Sequence, residues 1–188
     1  MAKLAKHLGG HANVTHLDHG ALDWAIEKWA PKTMLDIGCG PGGMVELANQ
    51  RGLDAMGVDG DHTLKRYDES KFTIHDFTKG PVPDQPKYDL GWSVEFLEHV
   101  YEEFMPNYMQ SFQNCKVIIA TYAPPGWPGH HHVNCQKEVY WYEKFAEYGL
   151  DFDADLTAEL RQISTMNINR HRSAFVKNRG LIFINNRI

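Results

Sequence analysis

The stretch Met34-Leu35-Asp36-Ile37-Gly38-Cys39-Gly40-Pro41-Gly42-Gly43 constrains this chain more than any other. Met34, Leu35 and Ile37 form an apolar run that reads as a buried strand, and it stops in a turn holding four glycines. Beyond the turn, Met44, Val45, Leu47 and Ala48 recur at helical spacing, so the order is strand, glycine turn, helix. Glycine lets a ligand come close to the backbone and tolerates φ > 0. The helix start adds free N–H groups and a positive dipole end. The pattern predicts a cradle for a nucleoside-bearing ligand at the carboxyl end of a strand.

Two fingerprints compete for these glycines. Gly38, Gly40 and Gly43 fit G-x-G-x-x-G, with Asp59 downstream as a ribose-binding acid. Gly38, Gly40 and Gly42 fit D-x-G-x-G-x-G, with Asp36 as its acid. Asp36 stands where a dinucleotide fold keeps an apolar strand residue. Together Asp36 and Asp59 suit a cationic amino-acid portion and a ribose diol, whereas two nearby carboxylates repel a pyrophosphate. On these residues, Leu35 to Gly43 resembles motif I of the class I S-adenosylmethionine-dependent methyltransferases. A nicotinamide oxidoreductase is the remote alternative.

The resemblance implies an α/β fold: a single doubly wound three-layer domain with a mostly parallel seven-stranded sheet, the last strand antiparallel. It implies S-adenosylmethionine as methyl donor. Gly38, Cys39, Gly40 and Asp59 are then expected to hold the methionine and ribose portions, and Asp36 to support that loop. Asp76 accepts from the adenine amino group while Phe77 packs on the ring, and Gly60 and Ser93 complete the cofactor contacts.

At 188 residues the chain has the length of one domain. No stretch is long and apolar enough to span a bilayer, and the N-terminus has no apolar signal region. Three widely spaced cysteines, Cys39, Cys115 and Cys135, suit a reduced cytoplasmic setting. Charge is uneven: every acid falls at or before Glu159, and beyond it lie six basic residues, among them Arg170 and Arg172. Such a segment is either a surface for anions or a solvated face complementing acidic neighbours.

Residues 1–30 read as a histidine-rich lead-in and a helix covering the cofactor mouth, and residues 31–188 as the methyltransferase domain. Leu22, Ala25, Ile26 and Trp29 share a helical face, with Asp18 as cap and Pro31 as stop. Further strands are expected at 54–59, 72–77, 88–94, 116–122, near 151–155 and at 180–185, with helices over 136–149 and from about 157. The proline-rich segment 79–86 cannot be regular.

Past the fourth strand, a helix over 95–104 would place Glu95, Glu98 and His99 at i, i+3 and i+4 on one face. His130, His131 and His132 follow the fifth strand, whose carboxyl end shares a rim with the fourth. The E-x-x-E-H arrangement is similar to that of the small-RNA 3′-end 2′-O-methyltransferases and the ubiquinone-pathway O-methyltransferases. In the former a later histidine completes a metal site, which here gives Glu95, Glu98, His99 and His131 as the candidate ligands of Mg²⁺, Mn²⁺, Fe²⁺ or Zn²⁺. The other reading is a metal-free pocket in which Glu95, His99, His130, His131 or His132 act on the acceptor, one histidine as general base. The expected activity is O-methylation of a small-molecule or sugar hydroxyl. The rivals are an RNA-end 2′-O-methyltransferase, drawing on the basic C-terminal stretch, and a non-catalytic S-adenosylmethionine-binding protein.

Overall fold

The computed structural model describes residues 4–167 and 173–188. Arg170 and Arg172, singled out in the basic C-terminal stretch, lie outside the described residues. Seven strands form one sheet: β1 (Thr33–Ile37), β2 (Asp54–Asp59), β3 (Phe72–Ile74), β4 (Tyr88–Ser93), β5 (Cys115–Thr121), β6 (Asp151–Phe152) and β7 (Gly180–Ile184). Their order is β3-β2-β1-β4-β5-β7-β6. β1 to β5 pair in parallel, while β7 runs antiparallel to both β5 and β6.

Period-two alternation sends side chains to two apolar layers. Met34, Leu90, Trp92, Val117, Ile119 and Ile182 pack beneath α1 (His19–Trp29), α2 (Gly43–Gln50), α5 (Ala154–Ile163) and α6 (Phe175–Arg179). Leu35, Ile37, Ile118, Ala120, Leu181 and Phe183 pack against α3 (Met105–Gln113) and α4 (Glu138–Glu147). Phe145 of α4 stacks on Phe183 with ring centroids 3.9 Å apart. In β5 every residue but Lys116 is buried, as suits a strand paired on both sides.

Asp18 caps α1 by accepting from the Ala21 N–H at 3.0 Å. It also accepts from the Ser164 hydroxyl and the Thr165 N–H, which ties the helix start to the end of α5. Ala30 ends the helix in the left-handed conformation just before Pro31.

Local departures from the expected elements have identifiable causes. β3 stops at Ile74 because Asp76 caps a 3₁₀ turn, Phe77–Lys79, by accepting from Thr78 N–H. α4 is shorter than 136–149 and buries Trp141 and Phe145, leaving Val139 52% exposed on the other side. Residues 95–104 do not form a helix. Glu95 takes a left-handed φ of 57°, and only two 3₁₀ turns follow, Leu97–His99 and Glu102–Phe104. The helical alignment of Glu95, Glu98 and His99 is therefore absent. α3, which buries Met105, Tyr108, Met109 and Phe112 at helical spacing, is an element beyond those expected.

Candidate active site

A cavity of about 1030 Å³ opens at the carboxyl ends of β1, β2 and β4, beneath residues 7–16. The glycine turn forms its floor. Gly38 has φ +75°, and a Cβ there would collide with the Phe96 ring; Gly42, at φ +85°, is held equally close to Phe72. Only glycine permits both the backbone conformation and that approach.

Asp59 joins the two loops of this floor. Its Oδ2 accepts from Gly40 N–H at 2.9 Å and its Oδ1 from Asp61 N–H at 2.7 Å, leaving a lone pair on each oxygen. Arg66 braces the same loops, donating from Nε to the Gly40 carbonyl and from Nη2 to that of Asp61. Asp36 differs. It is 3% exposed, lines the cavity, and has no hydrogen-bond partner among the described residues. Burial, and secondarily the charge of Asp59, pushes its carboxyl well above the usual range. Cys39 lines the floor with its thiol held protonated by burial. Gly60 lies in the wall against Leu8.

On the β3 side, Asp76 accepts from the Thr78 N–H and hydroxyl and pairs with His7 Nε2 at 3.0 Å. Burial opposes its ionisation, but these bonds outweigh it and leave the carboxyl below its ordinary value. Phe77, 5% exposed, lines the wall beside it and packs edge-on against Phe96. Ser93 is placed elsewhere than expected. It is fully buried between strands, and its hydroxyl donates to the Ile37 carbonyl at 2.8 Å, so it is not part of the cavity wall.

The opposite wall carries the E-x-x-E-H segment and the triple histidine. Glu95 Oε1 pairs with Arg179 Nη2 at 3.0 Å, and the Thr121 hydroxyl holds the Glu95 N–H. The Arg179 guanidinium lies over the Trp127 ring, 4.4 Å from its centroid, and near Phe175. Glu98 is fully buried; no N–H or hydroxyl of a described residue donates to its carboxylate oxygens, and its carboxyl lies within hydrogen-bond reach of that of Glu95. Burial, then the charge of Glu95, drives its carboxyl well up; burial also raises Glu95, against the pull of Arg179. The Glu98 carbonyl accepts from Val133 and Asn134, fastening the loop after β5 onto this turn.

That fastening decides which histidine joins the cluster. Ligating atoms of Glu98, His99 and His132 lie within 4.8 Å of one another. His131 stands apart, its ring against Tyr101 and His7, and His130 Nε2 donates to the Lys6 carbonyl. Among the four expected metal ligands, the structure thus groups Glu98 and His99, adds His132 in place of His131, and leaves Glu95 with Arg179. Burial, reinforced by His132, lowers His99 to about 4, and burial also lowers His131. Both are neutral imidazoles able to accept a proton. A buried carboxyl that no described N–H or hydroxyl satisfies, beside two imidazoles, fits a divalent ion.

The expected list omitted Arg66, Arg179, His7 and His11, the last of which pairs with Asp61 Oδ2 at 3.0 Å. Arg179 lies 84 residues along the chain from Glu95, and Arg66, close in sequence to Asp59 and Asp61, sits in a loop with no periodicity to mark it. The two histidines sit in a segment whose richness in imidazole was visible, but not the acids it would meet.

A family profile described as a methyltransferase domain matches residues 20–150. No curated protein matches the sequence. Among solved structures, a TehB-like S-adenosylmethionine-dependent methyltransferase from Corynebacterium glutamicum superposes with TM-score 0.62 at 17% identity, over 89% of each chain. The 1,6-didemethyltoxoflavin-N1-methyltransferase of Burkholderia thailandensis gives 0.60 at 11% identity, over 88% of this chain and 75% of its own. The magnesium protoporphyrin IX methyltransferase of Synechocystis gives 0.57 at 17% identity, over 86% and 74%. At these identities the likeness is one of fold.

Proposed function

The chain belongs to the methyltransferase-domain family and is an S-adenosylmethionine-dependent methyltransferase; on that premise we propose that it methylates a hydroxyl oxygen of a small-molecule or sugar acceptor. The observation that carries this reading is the cluster of Glu98, His99 and His132, whose two imidazoles line one end of the cavity with Glu98 buried beside them. A hydroxyl is a poor nucleophile until its proton is removed, and imidazoles in the wall supply a group to remove it. Glu98, His99 and His132 would also hold a divalent ion, which lowers the pKa of a hydroxyl it binds.

The cofactor supplies a methyl group on a positively charged sulfur, so transfer needs alignment in line with the acceptor oxygen. Asp59, Gly38, Gly40 and Gly60 are assigned to the donor's ribose and methionine portions, and Asp76 with Phe77 to adenine. Asp76 keeps one oxygen shared only with His7, so adenine can use its remaining lone pair. Residues 7–16 are assigned the role of cover over the donor. The cavity stands at the upper end of the roughly 300–1,000 Å³ usual for ligand pockets, which suits a donor plus a small acceptor. Two structural neighbours are named for small molecules, a magnesium porphyrin and a toxoflavin precursor. No helix among the described residues is long and apolar enough to cross a membrane. The free thiols of Cys39, Cys115 and Cys135 suit a cytoplasmic setting.

The test is transfer of labelled methyl from S-adenosylmethionine to a panel of phenols, sugars and hydroxy acids, run with and without chelator. Transfer to oxygen that falls after chelation, and in E98Q, supports the reading. Transfer confined to nitrogen or sulfur acceptors contradicts it, and oxygen transfer indifferent to both chelator and E98Q removes the metal from it.

A further inference from the structure

Asp59 and Arg66 hold the same two residues by opposite ends of their peptide groups. Asp59 accepts from the N–H groups of Gly40 and Asp61, at 2.9 and 2.7 Å. Arg66 donates to the carbonyls of those residues, from Nε to Gly40 at 3.1 Å and from Nη2 to Asp61 at 3.2 Å. The pair closes on itself, with Arg66 Nη2 3.8 Å from Asp59 Oδ1. A planar guanidinium suits this task, because its N–H groups reach two acceptors at a fixed spacing. Gly40 lies in the turn after β1 and Asp61 in the loop after β2, so Asp59 and Arg66 together lock one loop to the other.

The guanidinium is itself held. Its Cζ lies 5.1 Å from the centroid of Phe72, the ring that also stands against Gly42 and Gly57. The Arg66 backbone N–H donates to Glu69 Oε1 at 3.0 Å. Arg66 is 8% exposed, and its Nη1 finds no acceptor among the described residues. A buried cation with one nitrogen unpartnered is a poor device for stability alone, since its desolvation is incompletely offset. What it supplies is position. Asp59 lines the cavity and Arg66 does not, so the guanidinium meets the carboxylate from outside the cavity. The remaining lone pair on each Asp59 oxygen stays open to a ligand.

We propose that Arg66 is a positioning residue for the methyl donor: it touches no part of the donor, and fixes the Asp59 carboxylate in the orientation that reads the ribose hydroxyls. The proposal rests on the donor reading above, with Asp59 at the ribose. Without Arg66 the carbonyls of Gly40 and Asp61 lose their donors and the two loops lose their common brace. The carboxylate is then present but no longer aimed.

Two ligands separate aim from packing: S-adenosylhomocysteine, and its 2′,3′-dideoxy analogue, which lacks both ribose hydroxyls. In calorimetry on the full chain, the wild type should prefer S-adenosylhomocysteine by about ten- to a hundredfold, the usual weight of a bond to a charged group. Arg66→Met should cut that preference to about threefold or less, mostly by weakening S-adenosylhomocysteine. Arg66→Lys keeps the charge but cannot span both carbonyls, so its preference should fall between the two. It stands in if R66M fails to fold. Asp59→Asn should remove the preference as well, and adding R66M to it should change the preference no further. A wild-type preference that survives in R66M and R66K, with both ligands weakened alike or not at all, reduces Arg66 to packing and overturns the proposal. A wild type that binds S-adenosylhomocysteine without preferring it overturns the assignment of Asp59 to ribose, and this proposal with it. A wild type that binds neither ligand overturns the donor reading itself.

Discussion

The two ends of the sheet treat carboxylates in opposite ways. At the amino end, Asp89 of β4 accepts from the backbone N–H groups of Lys32 and Thr33 and pairs with Lys116 at 2.7 Å. That set, Lys116 foremost, pulls its carboxyl down to about 2. At the carboxyl end, Asp36 and Glu98 lie buried beside other acids, Asp59 and Glu95, with no cation paired to them among the described residues, and burial drives both well up. A satisfied carboxylate joins β1, β4 and β5, whereas an unsatisfied one carries a cost that folding alone does not repay. Ligands bind at the carboxyl ends of strands in open α/β sheets, and the unpartnered acids stand there.

The largest effect expected from breaking this contrast is at Glu98. Glu98→Gln should lower methyl transfer by about a hundredfold or more, the scale of losing a charged group beside the reacting atoms. Thermal stability should hold or rise, because an amide replaces a buried carboxyl that no described N–H or hydroxyl satisfies. A fall in melting temperature comparable to the loss of activity would make Glu98 a structural residue like Asp89.

Next comes Asp36. Asp36→Asn should weaken S-adenosylhomocysteine by about tenfold or more, as expected for a charge-assisted bond lost from a desolvated site. The sign of its stability effect is opposite to that of a paired acid. A carboxyl raised in the folded state costs stability as pH rises from the unfolded value toward the folded one. The ligand-free Asn variant should lose that decline in a pH series of melting curves.

Asp89→Asn should cost about 1–2 kcal/mol at neutral pH, after discounting for its partial exposure. Because its folded value is depressed, that contribution is present above the unfolded carboxylate value and lost as pH falls through about 2. Affinity for S-adenosylhomocysteine should not move. The smallest effect is at Ser93, where Ala removes the bond to the Ile37 carbonyl and costs about 1 kcal/mol. If S93A also weakens S-adenosylhomocysteine, Ser93 returns to the binding site.

The contrast also explains what the sequence made legible. Strand, glycine turn and helix follow from local pattern, so β1, β2 and the floor of the cradle were readable from Met34 to Asp59, as were the strands of the central sheet. Asp36 stood out because it interrupts an apolar strand. Asp59 and Asp76 could be placed at strand ends, but their partners could not, since Arg66 and His7 reach them only through the folded loops. The E-x-x-E-H spacing assumed a helix that Glu95 breaks with its left-handed φ. Without that helix, Glu95 turns to Arg179, 84 residues along the chain. The three adjacent histidines are indistinguishable in sequence; the two backbone bonds from Val133 and Asn134 to the Glu98 carbonyl bring His132 into the cluster. α3 has its own signal, Met105, Tyr108, Met109 and Phe112 at i, i+3, i+4 and i+7, with Asn107, Gln110 and Gln113 on its other face.

The most direct measurement is the proton balance of S-adenosylhomocysteine binding, taken by calorimetry at about pH 6 in buffers of different ionisation enthalpy. Asp36, whose carboxyl is raised by burial, should be drawn down by the ligand's ammonium and release a proton that D36N does not release, while D89N behaves as wild type. Binding with no proton release, or a release that persists in D36N, would contradict the claim that the unsatisfied acid at the carboxyl end awaits the ligand's cation.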